Sequence, residues 1–185
     1  MPTISALDII RAALLFAVGS VILSDVIGYL WHRWMEHNGW LGETIRHRHW
    51  VHHEQDYPVG NLRPVGVNTY RSAGSWSWYI LAAGTLFLAY LALPLRDFVP
   101  LAIGGVLYAW YVVNYFHSAF HIEGHWLNRF VWFRHLVQLH DNHHWVPGNY
   151  SIVVPWMDWL FGTLREDLPT AKENIFPGLK GLAMR

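Results

Sequence analysis

The sequence predicts an all-α membrane protein: three transmembrane helices carrying a cytoplasmic helical cap that holds a row of histidine boxes. Three observations lead there. Of the 185 residues, 53% are hydrophobic and 14% charged, a balance too apolar for an ordinary soluble domain of this size. The apolar residues gather in three long runs, about 12–31, 74–93 and 98–116, each long enough to cross a bilayer. All thirteen histidines fall outside those runs. Residues 1–185 are expected to form one integral-membrane domain.

The first run begins at Ala12 and ends at Trp31. At about 1.5 Å per residue, its roughly 20 residues span the roughly 30 Å hydrocarbon layer. It does not read as a secretory signal: acidic Asp8 stands close to Arg11, the run is too long, and no small-residue cleavage site follows. Asp25 interrupts it. A carboxylate at that depth is costly and usually functional. It precedes His32 by seven residues, two helical turns on the same face, which makes it a candidate to support the site; the alternative is that it lies solvated in the polar interface.

From 32 to 73 the chain is polar, with short helical pieces expected before a loop marked by Pro58, Gly60, Pro64 and Gly66. His32 and His37 are five residues apart, about 140° around an ideal helix, so they share one ion only if the helix unwinds there. Asn38 and Gly39 mark an ending just beyond. The second run, the short turn Pro94 to Asp97 and the third run form an antiparallel hairpin. Following the crossings, His117 emerges on the side to which the first helix delivers His32, so every histidine shares one face of the membrane. Arg and Lys agree, since only Arg11 and Arg96 lie elsewhere. By the positive-inside rule the histidine face is cytoplasmic. Trp31, Trp34, Trp76 and Trp78 cluster at the helix ends on that side, where an aromatic belt sits. Pro147 and Pro155 argue against a fourth span and for a segment folded against the interface.

The histidines carry the chemistry. His140, His143 and His144 stand at i, i+3 and i+4, and His49, His52 and His53 repeat that spacing. On a helix the three imidazoles of each triplet are expected to project from one face within a single turn. Each is preceded by a pair, His32 and His37 before the first, His117 and His121 before the second. Ten imidazoles exceed what one ion can use, so two ions are implied. His47, His125 and His135 fall outside the repeat and are left out of the ligand set. With no cysteine in the chain, thiolate sites, disulfides and iron–sulfur clusters are excluded; imidazole leaves iron, zinc, copper and nickel open. Asn114, three residues before His117, is a candidate to reach an ion through water, and Asp141 and Asp158 are candidate acceptors of imidazole N–H groups. An H-E-x-x-H zinc protease motif and an E-x-x-H di-iron pair are both absent. Zero formal net charge gives no reason to expect nucleic acid as a partner.

Taken together, Asp25-x-x-x-Tyr29-x-x-His32-Arg33-x-x-x-His37, the two H-x-x-H-H triplets, and Asn149-Tyr150 leading to Pro155-x-x-Asp158-x-Leu160-Phe-Gly-Thr163 resemble the fatty acid hydroxylase and sterol desaturase superfamily over roughly residues 20 to 165. The resemblance implies that His32, His37, His49, His52, His53, His117, His121, His140, His143 and His144 bind two Fe ions, with zinc a substitute in isolated protein. It implies O2 as co-substrate and a membrane lipid as substrate. The H-x4-H first pair and H-x3-H third pair look more like lipid acyl hydroxylases than sterol desaturases. The departures are a short chain, without the further N-terminal span of many members and without a cytochrome b5 module.

The expected activity is therefore O2-dependent hydroxylation of an unactivated C–H bond of a membrane lipid, an acyl chain first. A desaturase, or a carotenoid or sterol hydroxylase of the same superfamily, is the alternative. Because the chain has no haem or flavin fingerprint, a separate ferredoxin or cytochrome b5 type donor with its reductase is expected. From a different class, the rival is a non-catalytic membrane metal- or haem-binding protein. A transporter would place ligands near mid-membrane, whereas these begin where the spans end.

Overall fold

Residues 5–66 and 75–166 of a computed structural model are described, and among them all regular structure is helical. Helix α1 is one continuous rod, Ala6–His37. It starts at a capping box, the Ser5 hydroxyl accepting from Asp8 N–H while the Asp8 carboxylate accepts from Ser5 N–H, which satisfies two of the N–H groups left over at a helix start. Helix α2, Glu43–Val51, continues into a π turn at His52–Asp56. Helix α3 is Ser75–Ala92, α4 is Leu95–Phe120, α5 is Val131–Trp145 and α6 is the short Trp156–Leu160.

Helices α1 and α4 run parallel in close contact. Arg11 pairs with buried Asp97 at one end. Midway, a Cβ on Gly104 would stand 2.3 Å from the Phe16 carbonyl oxygen and 2.8 Å from Ser20 Oγ, so glycine is what lets the two backbones approach this closely. Farther along, Tyr108 donates to Asp25 at 2.9 Å. Helix α3 folds back against α4, with Tyr90 beside Phe98 near the turn and Tyr79 beside Trp110 at the other end. His32, His37 and His117 therefore arrive at the same end of the bundle, as the crossing argument requires.

The span boundaries differ from expectation. Two helices, α1 and α4, are long and apolar enough to cross a membrane, and Ser77–Ala92 is a shorter apolar helix. Rather than occupying separate short pieces, His32 and His37 lie on the last turns of α1 itself, because its helical hydrogen bonding continues past Trp31 as far as His37. The start of the expected 74–93 run, the Trp76 side chain, and the basic residues Arg71, Lys172, Lys180 and Arg185 lie outside the described residues.

The cap is held by two apolar clusters. Ala119, Phe120, Leu127 and Phe133 lock the end of α4 to α5. Tyr29, Tyr150 and Met157 pin the chain after α5 against α1. Pro147 and Pro155 do break the chain here, and the segment between α5 and α6 is irregular. Trp159, Leu160 and Phe161 remain exposed at its edge.

Candidate metal centre

The first pair is brought together by a local change of helix type. A regular α-helix would set His32 and His37 about 140° apart. Over Trp31–His37 the helix is π-wound, with Asn38 N–H bonded to the Arg33 carbonyl, five residues back. The extra residue per turn rotates His37 back over His32, and their ring centroids are 5.0 Å apart. Both then meet His49: its Nε2 is 3.0 Å from His32 Nε2 and 2.9 Å from His37 Nε2.

Each triplet divides between two groups. Residues at i and i+4 of a helix lie nearly in line, whereas i+3 and i+4 diverge by about 100°. Accordingly His49 and His53 point one way, with Nε2 atoms 2.9 Å apart, and His52 points the other. On α5, His140 and His144 pair at 3.2 Å while His143 turns away. The first group is His32, His37, His49, His53 and His143, whose ligand atoms all lie within 4.8 Å of one another. The second is His52, His117, His121 and His140, within the same limit, joined by His144 through His140. Each half of the chain thus lends its middle triplet histidine to the other half's group. The expectation that a triplet serves a single face is corrected here. The two groups adjoin, the His53 and His144 rings being 4.1 Å apart.

Backbone carbonyls fix which ring nitrogen faces inward. Nδ1 of His32 lies 2.6 Å from the Tyr150 carbonyl, Nδ1 of His143 is 2.7 Å from that of Gly148, and Nδ1 of His121 is 3.0 Å from that of Leu62. A carbonyl only accepts, so each Nδ1 carries the hydrogen and each Nε2 presents a lone pair to the group. Two of these carbonyls belong to one turn. Asn149 sits there at φ 50°, a left-handed conformation that asparagine tolerates better than most residues. Its side chain donates to the Leu139 and Arg165 carbonyls and accepts from Arg165 N–H.

Burial keeps the imidazoles neutral. It pushes His121 down to about 4. For His49, His52, His53, His140 and His144 burial, reinforced by neighbouring imidazoles, lowers the pKa well below the ordinary histidine value, and the same holds for His143. Nine or more convergent neutral nitrogens form a lone-pair cavity that would be repulsive by itself. A cation in each group is the complement, and the donor set fits one.

The remaining candidates behave differently. Asp25 accepts from Tyr108 Oη at 2.9 Å and Trp156 Nε1 at 3.1 Å; it ties α1 to α4 and α6 rather than to an imidazole. Asn114 is exposed. Both oxygens of Asp141 accept from Arg63 Nη2, at 2.7 and 2.6 Å, and burial pushes this carboxyl up to about 6 against the pull of Arg63. Asp158 is fully buried and accepts from Tyr150 N–H and Ser151 N–H, each at 2.8 Å, and from Thr163 Oγ1 at 2.7 Å. It acts one step removed, by holding the turn that receives His32. His47 and His135 are exposed, and His125 caps the 3-10 turn Trp126–Arg129, in keeping with their exclusion.

Sequence reasoning passed over two residues. Tyr57 stacks on His121 with centroids 3.8 Å apart. Glu36, 3% exposed, accepts from Trp78 Nε1 at 2.9 Å and has its other oxygen 3.7 Å from His49 Nδ1. The available signal was that Glu36 is the only acidic residue between Asp25 and Glu43.

Comparison with known proteins gives the family. The profile of the fatty acid hydroxylase family matches residues 17–163. A methylsterol monooxygenase 2-2 of Arabidopsis thaliana is 31% identical, over 83% of this chain and 54% of its own. Two very-long-chain aldehyde decarbonylases of Oryza sativa subsp. indica are each 32% identical, over 77% of this chain and 49% of theirs. The chain spans about half the length of these relatives. No solved structure matches it significantly. A match covering most of the chain and all ten clustered histidines places this protein in the fatty acid hydroxylase family.

Proposed function

We propose that the protein is a di-iron, O2-dependent oxidoreductase that hydroxylates an unactivated C–H bond in a membrane lipid, an acyl chain first. The observation that carries this reading is the pair of adjoining, buried histidine groups in a chain of this family. Neighbouring Nε2 atoms stand 2.9 to 3.2 Å apart. Spacing this close would let the imidazoles of each group share one small cation, and two iron ions would be held by them.

Held by these histidines, two iron ions would supply the electron-transfer capacity needed to activate O2. The balanced reaction is R–H + O2 + two electrons + two protons giving R–OH + H2O. The protein's own residues hold the neutral imidazoles in place, and the buried cap keeps bulk water out. A ferredoxin or cytochrome b5 type donor would deliver the electrons. The membrane reading adds α3 as a third crossing and sets the histidine end on the cytoplasmic side. It is supported by the exposed apolar residues of all three helices, among them Ile22, Leu88 and Ile103.

The test compares lipid and pigment extracts of a host with and without the protein. A lipid gaining one oxygen is expected, and it should vanish with His143→Ala. Loss of two hydrogens instead would assign desaturation, and a modified sterol would favour the chemistry named for the Arabidopsis relative.

A further inference from the structure

The segment after α5 closes on itself. Asn149 N–H donates to the Thr163 carbonyl at 3.0 Å, so residues 149–163 leave and return at one point, as an Ω-loop does. A Cβ on Gly148 would stand 2.6 Å from the same carbonyl oxygen, which is why glycine occupies the neck. The neck serves the first histidine group: the Gly148 and Tyr150 carbonyls receive His143 and His32, and Asp158 accepts from Tyr150 N–H and Thr163 Oγ1. The tip, α6, lies lower. Trp156 Nε1 donates to Asp25 at 3.1 Å, and Asp25 precedes His32 by seven residues, about 10 Å back along α1. On the membrane reading above, that level belongs to the bilayer. Trp159, Leu160 and Phe161 are exposed side by side on this tip, where acyl chains are the surrounding solvent.

Three rings separate that surface from the histidines. Phe161 stacks on Tyr29 with centroids 5.3 Å apart, Tyr29 meets Tyr150 edge-on at 5.9 Å, and Tyr150 lies 5.1, 5.6 and 5.7 Å from the rings of His37, His143 and His32. We infer that the substrate's acyl chain reaches the first histidine group through this seam between α1 and α6, with Phe161 at the mouth and Tyr150 as the last ring it meets. The seam is filled in this structure, and Phe161, exposed on its outer side, is the ring placed to turn aside. Its movement leaves the imidazoles in place, because Asp158 and the backbone carbonyls hold the neck apart from the tip. Arg33, its guanidinium carbon 5.7 Å from the Phe161 ring centre, stands beside the mouth, where it can receive the acidic head of a lipid whose chain lies in the seam. The inference rests on the lipid-oxidising reading above and adds where the chain enters.

The probe is a long-chain fatty acid carrying a diazirine in its chain, added to the full-length protein in phosphatidylcholine vesicles and kept anaerobic so that turnover cannot consume it. Irradiation attaches the probe to the side chains it touches, and mass spectrometry maps the adducts. Adducts at Phe161 and Tyr150 are expected, and an excess of unlabelled fatty acid should remove them. Adducts at exposed Leu88 and Ile103, which meet bilayer chains at large, should not be competed. Leu160→Asp puts a charge at the mouth and should lower Tyr150 labelling by about tenfold or more, with metal content unchanged because the tip holds no ligand. Should Leu160→Asp fail to fold, the competed labelling of wild type decides alone. Tyr150 left unlabelled, or labelled without competition, overturns the inference. Competed labelling at Tyr150 with no oxidised lipid in the host extract would uphold the passage and sink the hydroxylase reading, and the reverse pair of results would sink the passage alone.

Discussion

His37 Nε2 and His143 Nε2 lie 3.2 Å apart although 106 residues separate them. His143 belongs by sequence to the second set of histidines and by position to the first, as His52 does in reverse. Neither histidine group can be completed by one half of the chain. His143→Ala should therefore leave the first group under-coordinated and lower the metal it holds, and His52→Ala should do the same at the second. His135→Ala and His47→Ala, both at exposed positions, should keep two. Metal content per folded protein, with a monodisperse detergent peak as the folding check, decides this. Retention of both ions in His143→Ala alongside loss in His135→Ala would refute the assignment.

Acid should destabilise the metal-free protein in a defined window. Histidine in the unfolded chain titrates near 6.5, whereas burial pushes His121 down to about 4 and lowers His140, His143 and His144 well below their usual value. Between those values the unfolded state binds protons that the folded state refuses, so stability rises with pH there and is lost as pH falls below about 6.5. The melting temperature of stripped protein should be flat above pH 7 and drop steeply between pH 6.5 and 4, all figures here being approximate. A flat profile across that range would show that the imidazoles are not buried as neutral groups.

Asp158 holds two backbone N–H groups and a hydroxyl from a fully buried position. Asp158→Ala should cost roughly 3–5 kcal/mol, since charge-assisted bonds are lost and buried N–H groups left without partners. It should also lower metal binding at the first group, because the Tyr150 carbonyl that receives His32 sits on the released turn. Thermal unfolding and metal titration on the same sample report both. Unchanged metal affinity would mean the turn is held by Asn149 alone.

Gly104→Val tests the close approach of α1 and α4. The first added carbon would meet the Phe16 carbonyl at 2.3 Å, and a helix backbone cannot yield as a side chain can. Overpacking of this kind costs about 1–3 kcal/mol or more, and separation of the helices would strain the Tyr108 to Asp25 hydrogen bond. Gly84, with nothing within 4 Å of its added Cβ, should accept the same change with little loss. Detergent melting curves of the two variants should differ in that order.

The absence of cysteine makes topology directly measurable. With the histidine end in the cytoplasm, cysteine at exposed Leu95 should react with an impermeant thiol reagent in intact cells, and cysteine at exposed Val131 only after lysis. Equal labelling at both positions would reverse or remove the proposed crossing pattern.

The sequence by itself determined the helical class, the end of the bundle at which the histidines gather, and which ten of them converge. Spacing carries that information: an apolar run has a length, and i, i+4 pairs have a direction, before any tertiary contact forms. It also flagged the obstacle at His32 and His37, whose five-residue separation required an unwound helix, and the π turn supplies it. Only the tertiary structure decided how the triplets divide. A helix turn of three imidazoles has two diverging directions, and which one meets which partner depends on where α2 and α5 face each other across the site. The same holds for the carboxylates. Asp25, Asp141 and Asp158 look alike along the chain, yet their oxygens are taken by an indole 131 residues away, a guanidinium 78 residues away and a backbone N–H eight residues away. Glu36 was invisible because a glutamate beside a histidine reads as solvated until Trp78, 42 residues on, is seen to cover it.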